Sequence, residues 1–343
     1  MKHLLNTLYV TTQGAYLAKE GETVAVRVEQ ETKLRLPFHN LAGVVCFGQV
    51  SCSPYLMGAC AERDIVISHL TERGRFLARV SGPVSGNVLL RRTQYRLADD
   101  DQATSDIARS VVVGKVANSR AVLMRAARDH PDGPGAEEVR KAAEYLGRLL
   151  TSLAGRAEVD VVRGREGEAA RAYFQVFDHL ITAQKDGFQF RGRTRRPPLD
   201  ATNALLSFVY TLLLHDVTSA LETVGLDPAV GFLHRDRPGR PGLALDMMEE
   251  LRAFLGDRLV LSLINRQQVD HEGFDTTEAG GVIMDDDTRK EVLVAYQKRK
   301  QEEIKHPFLD EKIPVGLIPH VQAMLMARFL RGELDAYPPY LWR

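Results

Sequence analysis

The chain has 343 residues, 44% of them hydrophobic, with 45 Lys plus Arg set against 45 Asp plus Glu. That length and apolar content exclude a disordered chain and supply material for two packed domains rather than one. A formal net charge of zero excludes a global basic field, so any binding of nucleic acid has to rest on local patches.

At the N-terminus, one Lys and Leu4-Leu5 are followed by Asn6, Thr7, Thr11 and Gln13, which interrupt any hydrophobic region of signal-peptide length. From Thr7 to about Val84 the pattern is that of strands. Val24, Val26 and Val28 alternate with Ala25 and Arg27, and Leu34 and Leu36 alternate with Lys33 and Arg35. Lys19-Glu20-Gly21-Glu22 supplies the turn between two runs. Val44-Val45-Cys46-Phe47 and Ile65-Val66-Ile67 are short apolar runs, separated by a Ser53-Pro54 start signal for a helix over Pro54 to Arg63. Cys46, Cys52 and Cys60 are separated by five and seven residues, which fits neither a CxxC metal knuckle nor an even disulfide framework. They read as free, mostly buried thiols of a reducing compartment.

A second regime begins near Ser85 and, past the acidic break Asp99-Asp100-Asp101, runs at helical period. Ile107, Val111, Val112 and Val116 form one stripe, and Ala136 to Leu153 form another after the Pro131-Asp132-Gly133-Pro134-Gly135 break. Asp200 to Val224 is a long apolar helix closed by Gly225. Its longest apolar stretch, Leu205 to Leu214, includes Ser207 and Thr211 and is too short to span a bilayer, so the expected location is the cytoplasm. Asp227 as cap and Pro228 in the first turn predict the next helix start. Thr288 with Glu291 reads as a capping box after Asp285-Asp286-Asp287, opening a helix that carries the charged run Gln297 to Lys305. No internal repeat appears, which excludes a solenoid.

Three segments carry candidate chemistry. Glu166 lies in Arg163-Gly164-Arg165-Glu166-Gly167-Glu168-Ala169-Ala170, where small residues let another backbone or a ligand approach; Tyr173, seven residues on, shares its helical face. The competing reading is a solvated Glu in the first turn of a helix. His234 sits in a Pro/Gly-rich loop beside Arg235, Arg237 and Arg240, which favour the neutral, metal-binding imidazole. Asp246 and Glu249 stand at i and i+3 on one helical face, next to apolar Leu243, Met247 and Leu251. Carboxylates along a buried seam are costly unless paired or metal-bound. Oxygen ligands with one imidazole suit Mg²⁺ or Mn²⁺, and such a site suits phosphodiester chemistry.

Read in order, Arg163-Gly164-Arg165-Glu166-Gly167-x-Ala169-Ala170-x-x-Tyr173-Phe174, Asp200-x-x-Asn203-Ala204-Leu205-Leu206-Ser207-Phe208-x-Tyr210, Gly225-Leu226-Asp227-Pro228-x-x-Gly231-Phe232-Leu233-His234 and Leu245-Asp246-x-x-Glu249 closely resemble the Cas-one family of CRISPR integrases. The likeness extends to the terminal Tyr337-Pro338-Pro339-Tyr340, and Leu245 to Arg252 is similar to a type I branch of that family. The resemblance implies an α+β multidomain fold, with a small β-rich dimerisation domain over residues 1–86 and a larger all-α catalytic domain over 87–343. It also implies a homodimer that joins the smaller Cas-two protein in a heterohexamer holding a short DNA duplex, the prespacer. The family's metal ligands fall on Glu166, His234 and Glu249. Glu249 departs from the Asp common at that position, and Asp246, one turn earlier, is a candidate to take over or share the role.

The implied reaction is transesterification, in which a prespacer 3′-hydroxyl attacks a phosphodiester of the CRISPR repeat without a covalent enzyme intermediate. Tyr173 and Asn203 are candidates for orienting phosphate or the ligands, with ordinary core hydrogen bonding as the competing reading. Arg191, Arg193, Arg195 and Arg196, with Arg235, Arg237 and Arg240, are candidates for contacting DNA phosphates, and Lys298-Arg299-Lys300 is the weaker patch. A di-metal carboxylate oxidase would need paired Glu-x-x-His motifs, which are absent. His215-Asp216 is similar to a metal-phosphohydrolase dipeptide but lies inside the apolar helix without companion His spacing, and His215 reads as a core or helix-packing residue. The non-enzymatic alternative is a scaffold that clamps DNA while a partner performs the chemistry.

Overall fold

Residues 6–72, 74–82 and 88–342 are described by a computed structural model of the chain. The sequence features at Leu4-Leu5 and Ser85, and the expected boundary between 86 and 87, lie outside those residues. The N-terminal part is built from β1 (Asn6–Val10), β2 (Tyr16–Glu20), β3 (Thr23–Val28), β4 (Glu31–Pro37), β5 (Leu41–Phe47), β6 (Ser51–Cys52), helix α1 (Pro54–Ala61), β7 (Val66–Leu70) and β8 (Phe76–Val80). Two four-stranded sheets result, ordered β1-β5-β7-β8 and β4-β3-β2-β6. The turn expected at Lys19 to Glu22 joins β2 to β3, with Gly21 at φ 56°, a conformation that costs glycine little. Ser53 caps α1 by accepting from the Leu56 N–H at 3.1 Å, and α1 crosses between the parallel strands β5 and β7.

β5 is buried on both sides, which is why its sequence reads as a continuous apolar run instead of an alternation. Val44 and Cys46 join a smaller core with Leu8, Leu17, Val24, Val26 and Ile67, while Val45 and Phe47 join the larger, helical core. Phe47 packs on Phe208 with ring centroids 5.9 Å apart, and Gln297 donates to the Thr7 carbonyl at 2.9 Å, so the first sheet is bound into the helical half. β4 departs from the inward alternation expected of it: at the sheet edge Leu34 is 42% exposed.

The helical half runs through α2 (Val88–Ala98), α3 (Asp101–Asp129), α4 (Ala136–Ser152), α5 (Val159–Gln175), α6 (Ala201–Val224), α7 (Gly242–Leu251), a π-helical turn over Arg252–Asp257, and α8 (Arg258–Asn265). After the ladder of β9 (Phe274–Thr276) with β10 (Val282–Met284) come α9 (Asp286–Gln301), the ladder of β11 (Glu303–Lys305) with β12 (Lys312–Pro314), and α10 (Ile318–Leu330). This half is thus helical apart from two short ladders. α3 is its axis, capped by Asp100 accepting from Ala103 N–H at 2.8 Å and packed on α4, α5 and α7 through Ile107, Val111, Val112 and Val116.

Asp200 caps α6, accepting from the Asn203 N–H at 2.6 Å, and Gly225 closes it at φ 90°. At 24 residues α6 is long and apolar enough by composition to cross a membrane, contrary to the estimate from Leu205 to Leu214 alone; its most apolar window is 61% buried inside the protein, the position of a core helix. His215 on α6 packs toward the sheet, its Nδ1 3.0 Å from the Ser68 hydroxyl, and burial lowers its pKa to about 4.

Two expected helix starts are corrected. Asp227 and Pro228 open no helix, because Asp227 spends its carboxylate on the Ala229 N–H at 2.8 Å and the Tyr95 hydroxyl at 2.7 Å, forming a local turn. α9 is capped by Asp285, which accepts from the Thr288 N–H at 2.7 Å, and not by Thr288.

The C-terminal segment lies against the back of α7. A Cβ at Gly114 would come within 2.9 Å of Pro339 Cβ and 3.0 Å of Glu250 Cβ, so the segment depends on that glycine. Glu250 is fully buried and receives the Tyr337 hydroxyl, the Tyr340 N–H and the Gln322 amide. Burial outweighs those hydrogen bonds and pushes its pKa up to about 8. A raised folded-state pKa means the folded chain holds the proton more tightly, so this contribution is complete below the ordinary value of 4.5 and is lost as pH rises from there to about 8. Glu250→Gln, which keeps the neutral shape, is expected to match the wild-type urea midpoint near the acid end of that window. At the alkaline end its midpoint is expected to be the higher, by an amount corresponding to at least about 1 kcal/mol of added stability; parallel midpoints across the window would refute the assignment.

Candidate functional site

Asp246, on α7, is fully buried. A carboxylate in that position is costly unless its lone pairs are taken up. Oδ2 accepts from the backbone N–H groups of Phe232 at 2.6 Å and Leu233 at 2.9 Å; Oδ1 accepts from the His234 N–H at 2.9 Å and lies 2.6 Å from His234 Nδ1. The loop is thereby wrapped around one carboxylate. Gly231 permits this, since a Cβ there would come within 2.6 Å of the Gly242 carbonyl carbon and 2.8 Å of Asp246 Oδ2. Gln94 of α2 holds the same loop farther back, donating to the carbonyls of Asp227 and Val230 at 2.8 Å each, and Arg163 of α5 donates to the Leu233 carbonyl at 2.6 Å. With Nδ1 engaged, His234 presents Nε2 toward Glu249, whose Oε1 is 4.0 Å away.

Glu249 is 3% exposed and has cations on every side. Arg252 Nη1 is 3.1 Å from Oε1 and Lys115 Nζ is 2.8 Å from Oε2. Burial alone would raise its pKa; Arg252 first and Lys115 second overcome that and hold it well below the usual carboxylate range. Glu166 lies in the middle of α5 rather than in a first turn, and its carboxylate contacts the same Lys115 ammonium. Glu166, His234 and Glu249 therefore converge, with one ammonium between the two acids.

The donor set fits a divalent cation of the hard or borderline class. Two carboxylates share the Lys115 ammonium, Glu249 pairing also with Arg252, and an imidazole with its far nitrogen fixed faces Glu249, the arrangement in which a ligating histidine is usually held. Asp246 has four donors on its two oxygens, which leaves it the part of orienting His234 and leaves Glu249 as the acid facing the centre.

Beside Glu249 a cleft of about 680 Å³ is lined by Lys115, Arg171, Arg191, Arg193, Arg195 and Arg252 together with Tyr173, Tyr210 and Asp257. Tyr210 lies between two guanidiniums, Arg193 at 5.3 Å and Arg252 at 5.1 Å from its centroid, and donates to Asp257 at 2.5 Å. Burial raises Asp257 to about 6 against that hydrogen bond. The π-helical turn places Arg252 and Asp257, and Gly256 within it makes room for Tyr210, whose Cε1 would be 2.9 Å from a Cβ. Tyr173 is buried at the cleft wall next to Asp257 and stacks edge-on with Phe174 and Phe177.

Asn203 uses its whole amide: Oδ1 accepts from Arg193 at 2.7 Å and the Thr194 N–H at 3.0 Å, while Nδ2 donates to the Gly192 carbonyl at 2.8 Å and Asp200 at 2.7 Å. It is a clamp on the basic loop and has no valence left for phosphate. Arg193 is correspondingly half-buried and tied to Asn203 and Ser207, whereas Arg191, Arg195 and Arg196 are exposed. Arg235 and Arg237 are exposed and Arg240 partly so; Arg235 pairs with Asp160 at 2.9 Å. In the weaker basic run, Lys300 is buried against Asp216 at 2.8 Å and Arg299 pairs with Glu302.

Sequence reasoning missed Lys115 and Arg252. Lys115 adjoins the buried stripe of α3 next to Val111, Val112 and Val116, and a lysine so placed signals a buried partner of opposite charge. Arg252 stands three residues after Glu249, a spacing that already pairs them on a helix.

Residues 8–298 match the family described as CRISPR associated protein Cas1. Over its whole length the chain is 57% identical to the whole of a CRISPR-associated endonuclease Cas1 from Chlorobaculum tepidum. Among solved structures, a casposase bound to integration product superimposes with a TM-score of 0.83 at 20% identity, over 99% of this chain and 95% of that one. A Cas6-RT-Cas1–Cas2 complex gives 0.82 at 20% identity, over 98% of this chain and 36% of that one. At those identities the structures establish a shared fold.

The centre yields a stability prediction. Lys115 is 12% exposed and joins two acids, so Lys115→Met is expected to cost about 3–5 kcal/mol by leaving Glu166 unpaired and Glu249 with Arg252 alone. Adding Glu166→Gln to Lys115→Met should restore part of that loss. Additive effects of the two changes in a denaturant double-mutant cycle would mean the ammonium does not bridge the acids.

Proposed function

The chain belongs to the CRISPR-associated protein Cas1 family, and from that premise we propose that it is an integrase. It joins a prespacer to a CRISPR repeat by attack of a 3′-hydroxyl on a phosphodiester. The observation that carries the reading is that Glu166 and Glu249 share the Lys115 ammonium, with His234 Nε2 4.0 Å from Glu249, beside an arginine-lined cleft. As an enzyme of the CRISPR-associated endonuclease class, it breaks one P–O bond and forms another, with the cut strand's 3′-oxygen leaving, so no covalent enzyme intermediate is required.

Glu166, His234 and Glu249 are the residues to hold a divalent cation, Mg²⁺ or Mn²⁺, which when bound supplies charge for the phosphate and acidity for the attacking hydroxyl. The protein's own groups do the rest. Asp246 keeps a proton on His234 Nδ1 and frees Nε2 for ligation. The Nε atoms of Arg193 and Arg252 are buried without a hydrogen-bond partner, donors that a phosphate in the cleft would satisfy. Tyr210, between those two arginines, fixes their planes, and Asn203 fixes the loop that carries Arg193. Arg191 and Arg195 at the exposed wall of the cleft, with Arg196, Arg235, Arg237 and Arg240 beyond it, track the backbone of the duplex.

The assembly proposed is a heterohexamer of two homodimers flanking a Cas2 dimer, acting on double-stranded prespacer and repeat DNA in the cytoplasm. Residues 1–86 form the dimerising part. Tyr16, Leu34, Tyr55, Phe76 and Leu77 are all exposed in that part, apolar surface that a second copy would cover. A protein of the same fold has been solved with an integration product and another with Cas2, which supports both partners.

The test is strand joining into supercoiled repeat DNA, with Cas2 and either Mg²⁺ or Mn²⁺ supplied. Glu166→Ala, His234→Ala and Glu249→Ala are each expected to reduce joining at least about a hundredfold with prespacer affinity retained, and Asp246→Asn about 10–100-fold through weaker metal binding. Joining at the wild-type rate in Glu166→Ala would leave only a DNA clamp. Arg191→Ala and Arg195→Ala should each lower the slope of log K against log salt by about 0.9; unaltered slopes would take the exposed loop out of the interface.

A further inference from the structure

A second set of ligand-bearing side chains gathers in the N-terminal half, away from the acids and imidazole described above. Among the described residues, Cys46, Cys52 and His69 form the group of His, Cys, Asp or Glu whose ligand atoms all lie within 4.8 Å of one another. Each comes from a different strand. Cys46 on β5 and His69 on β7 are direct partners in the parallel register, so both side chains leave the same face of the first sheet. Cys52 ends β6, at the edge of the second sheet, opposite Leu17 of β2. Cys46 is fully buried in the smaller core, whereas Cys52 and His69 are partly exposed, and all three cysteines are free. The group thus bridges the two sheets and opens to solvent on one side.

We propose that Cys46, Cys52 and His69 form a binding site for a thiophilic divalent cation, zinc(II), that fastens the two N-terminal sheets together. Two thiolates and an imidazole select zinc over the hard cations that suit Glu166 and Glu249. Three protein ligands leave a fourth tetrahedral position, and the exposed side of the group lets water fill it. Zn–S bonds of about 2.3 Å would bring tetrahedral donor atoms to within roughly 3.8 Å, so the group has to contract by about 1 Å, an adjustment of side-chain torsions. Binding exchanges the two thiol protons for one metal ion, releases those protons to solvent and involves no change of oxidation state. The hold is between sheets, because Cys46 and His69 are already joined through the β5–β7 ladder and only Cys52 comes from the other sheet.

The test uses the full chain in a non-thiol reductant, titrated with cobalt(II) and then with zinc(II). The expected result is a sulfur-to-cobalt charge-transfer absorption that saturates with a single equivalent and is displaced by zinc. Glu166→Ala and Cys60→Ser should keep it, which separates this site from the acidic centre and from the third thiol. Cys52→Ser should abolish it, and His69→Gln should weaken cobalt binding at least about tenfold. Both substitutions are at partly exposed positions, and far-ultraviolet circular dichroism checks that each variant is folded. Absence of the band in the folded wild type, its survival in Cys52→Ser, or its dependence on Cys60 in place of Cys52 would each overturn the proposal.

Discussion

The arrangement of the helical half follows from one constraint: the negative charge of Glu249 is placed where water hardly reaches it. An isolated carboxylate there would be protonated or would unfold its surroundings. The fold answers by bringing Lys115 from α3, Arg252 from the π-helical turn and the His234 edge from the preceding loop to the same carboxylate. Once α3 is committed to delivering Lys115, it has to pass between α5 and α7, and that path also brings Glu166 to the same ammonium. The loop in turn stays in place because Asp246 gathers its backbone N–H groups, so α7 supplies both the acid of the centre and the anchor of its histidine. Positive charge left over from this balance lines the adjoining cleft, where the Nε atoms of Arg193 and Arg252 are buried without a hydrogen-bond partner.

The N-terminal sheets contribute more than a separate module. β5 belongs to two cores at once, and Tyr9, Phe47 and Phe208 continue the contact from strand to strand to helix, with ring centroids 6.4 and 5.9 Å apart. The pairs Arg79–Glu222 and Ser68–His215 and the amide of Gln297 add polar ties along the same seam. The first sheet and the helical half are thus joined by apolar and polar contacts along one seam.

Much of this was legible in the chain. The caps of α6 could be read at Asp200 and Gly225 because both act through backbone groups within a few residues of themselves. The strand runs, the single N-terminal helix and the carboxylates sharing a face of α7 were readable for the same reason: period and spacing are local. Spacing could not tell Asp246 from Glu249. Both lie on the inward face, and what separates them is which one meets the backbone of residues 232–234, a loop whose path is set by Gly231. Asn203 is equally fit by sequence for phosphate or for packing; in the structure three of its amide hydrogen bonds go to the basic loop and the fourth to Asp200. Lys115 went unnoticed because its partners are 51 and 134 residues away, the differences between its number and those of Glu166 and Glu249. The cysteines were dismissed on their spacing, a rule for knuckles made by one turn of chain; strand pairing and sheet stacking assemble Cys46, Cys52 and His69 from pieces that no local spacing connects. Asp227-Pro228 has the letters of a helix start, yet Asp227 turns on its own backbone and is pinned by Tyr95.

The π-helical turn at Arg252–Asp257 also bears on how such a chain can vary. An extra residue in one turn advances the helical phase by about 100°, so the inward stripe of α8, with Leu259, Val260, Leu263 and Ile264, is not a continuation of the stripe that holds Asp246 and Glu249. The two segments form one rod yet answer to separate demands. Substitutions that repack α8 can accumulate without rotating the acids, and lineages can diverge in the scaffold while inheriting an unaltered centre.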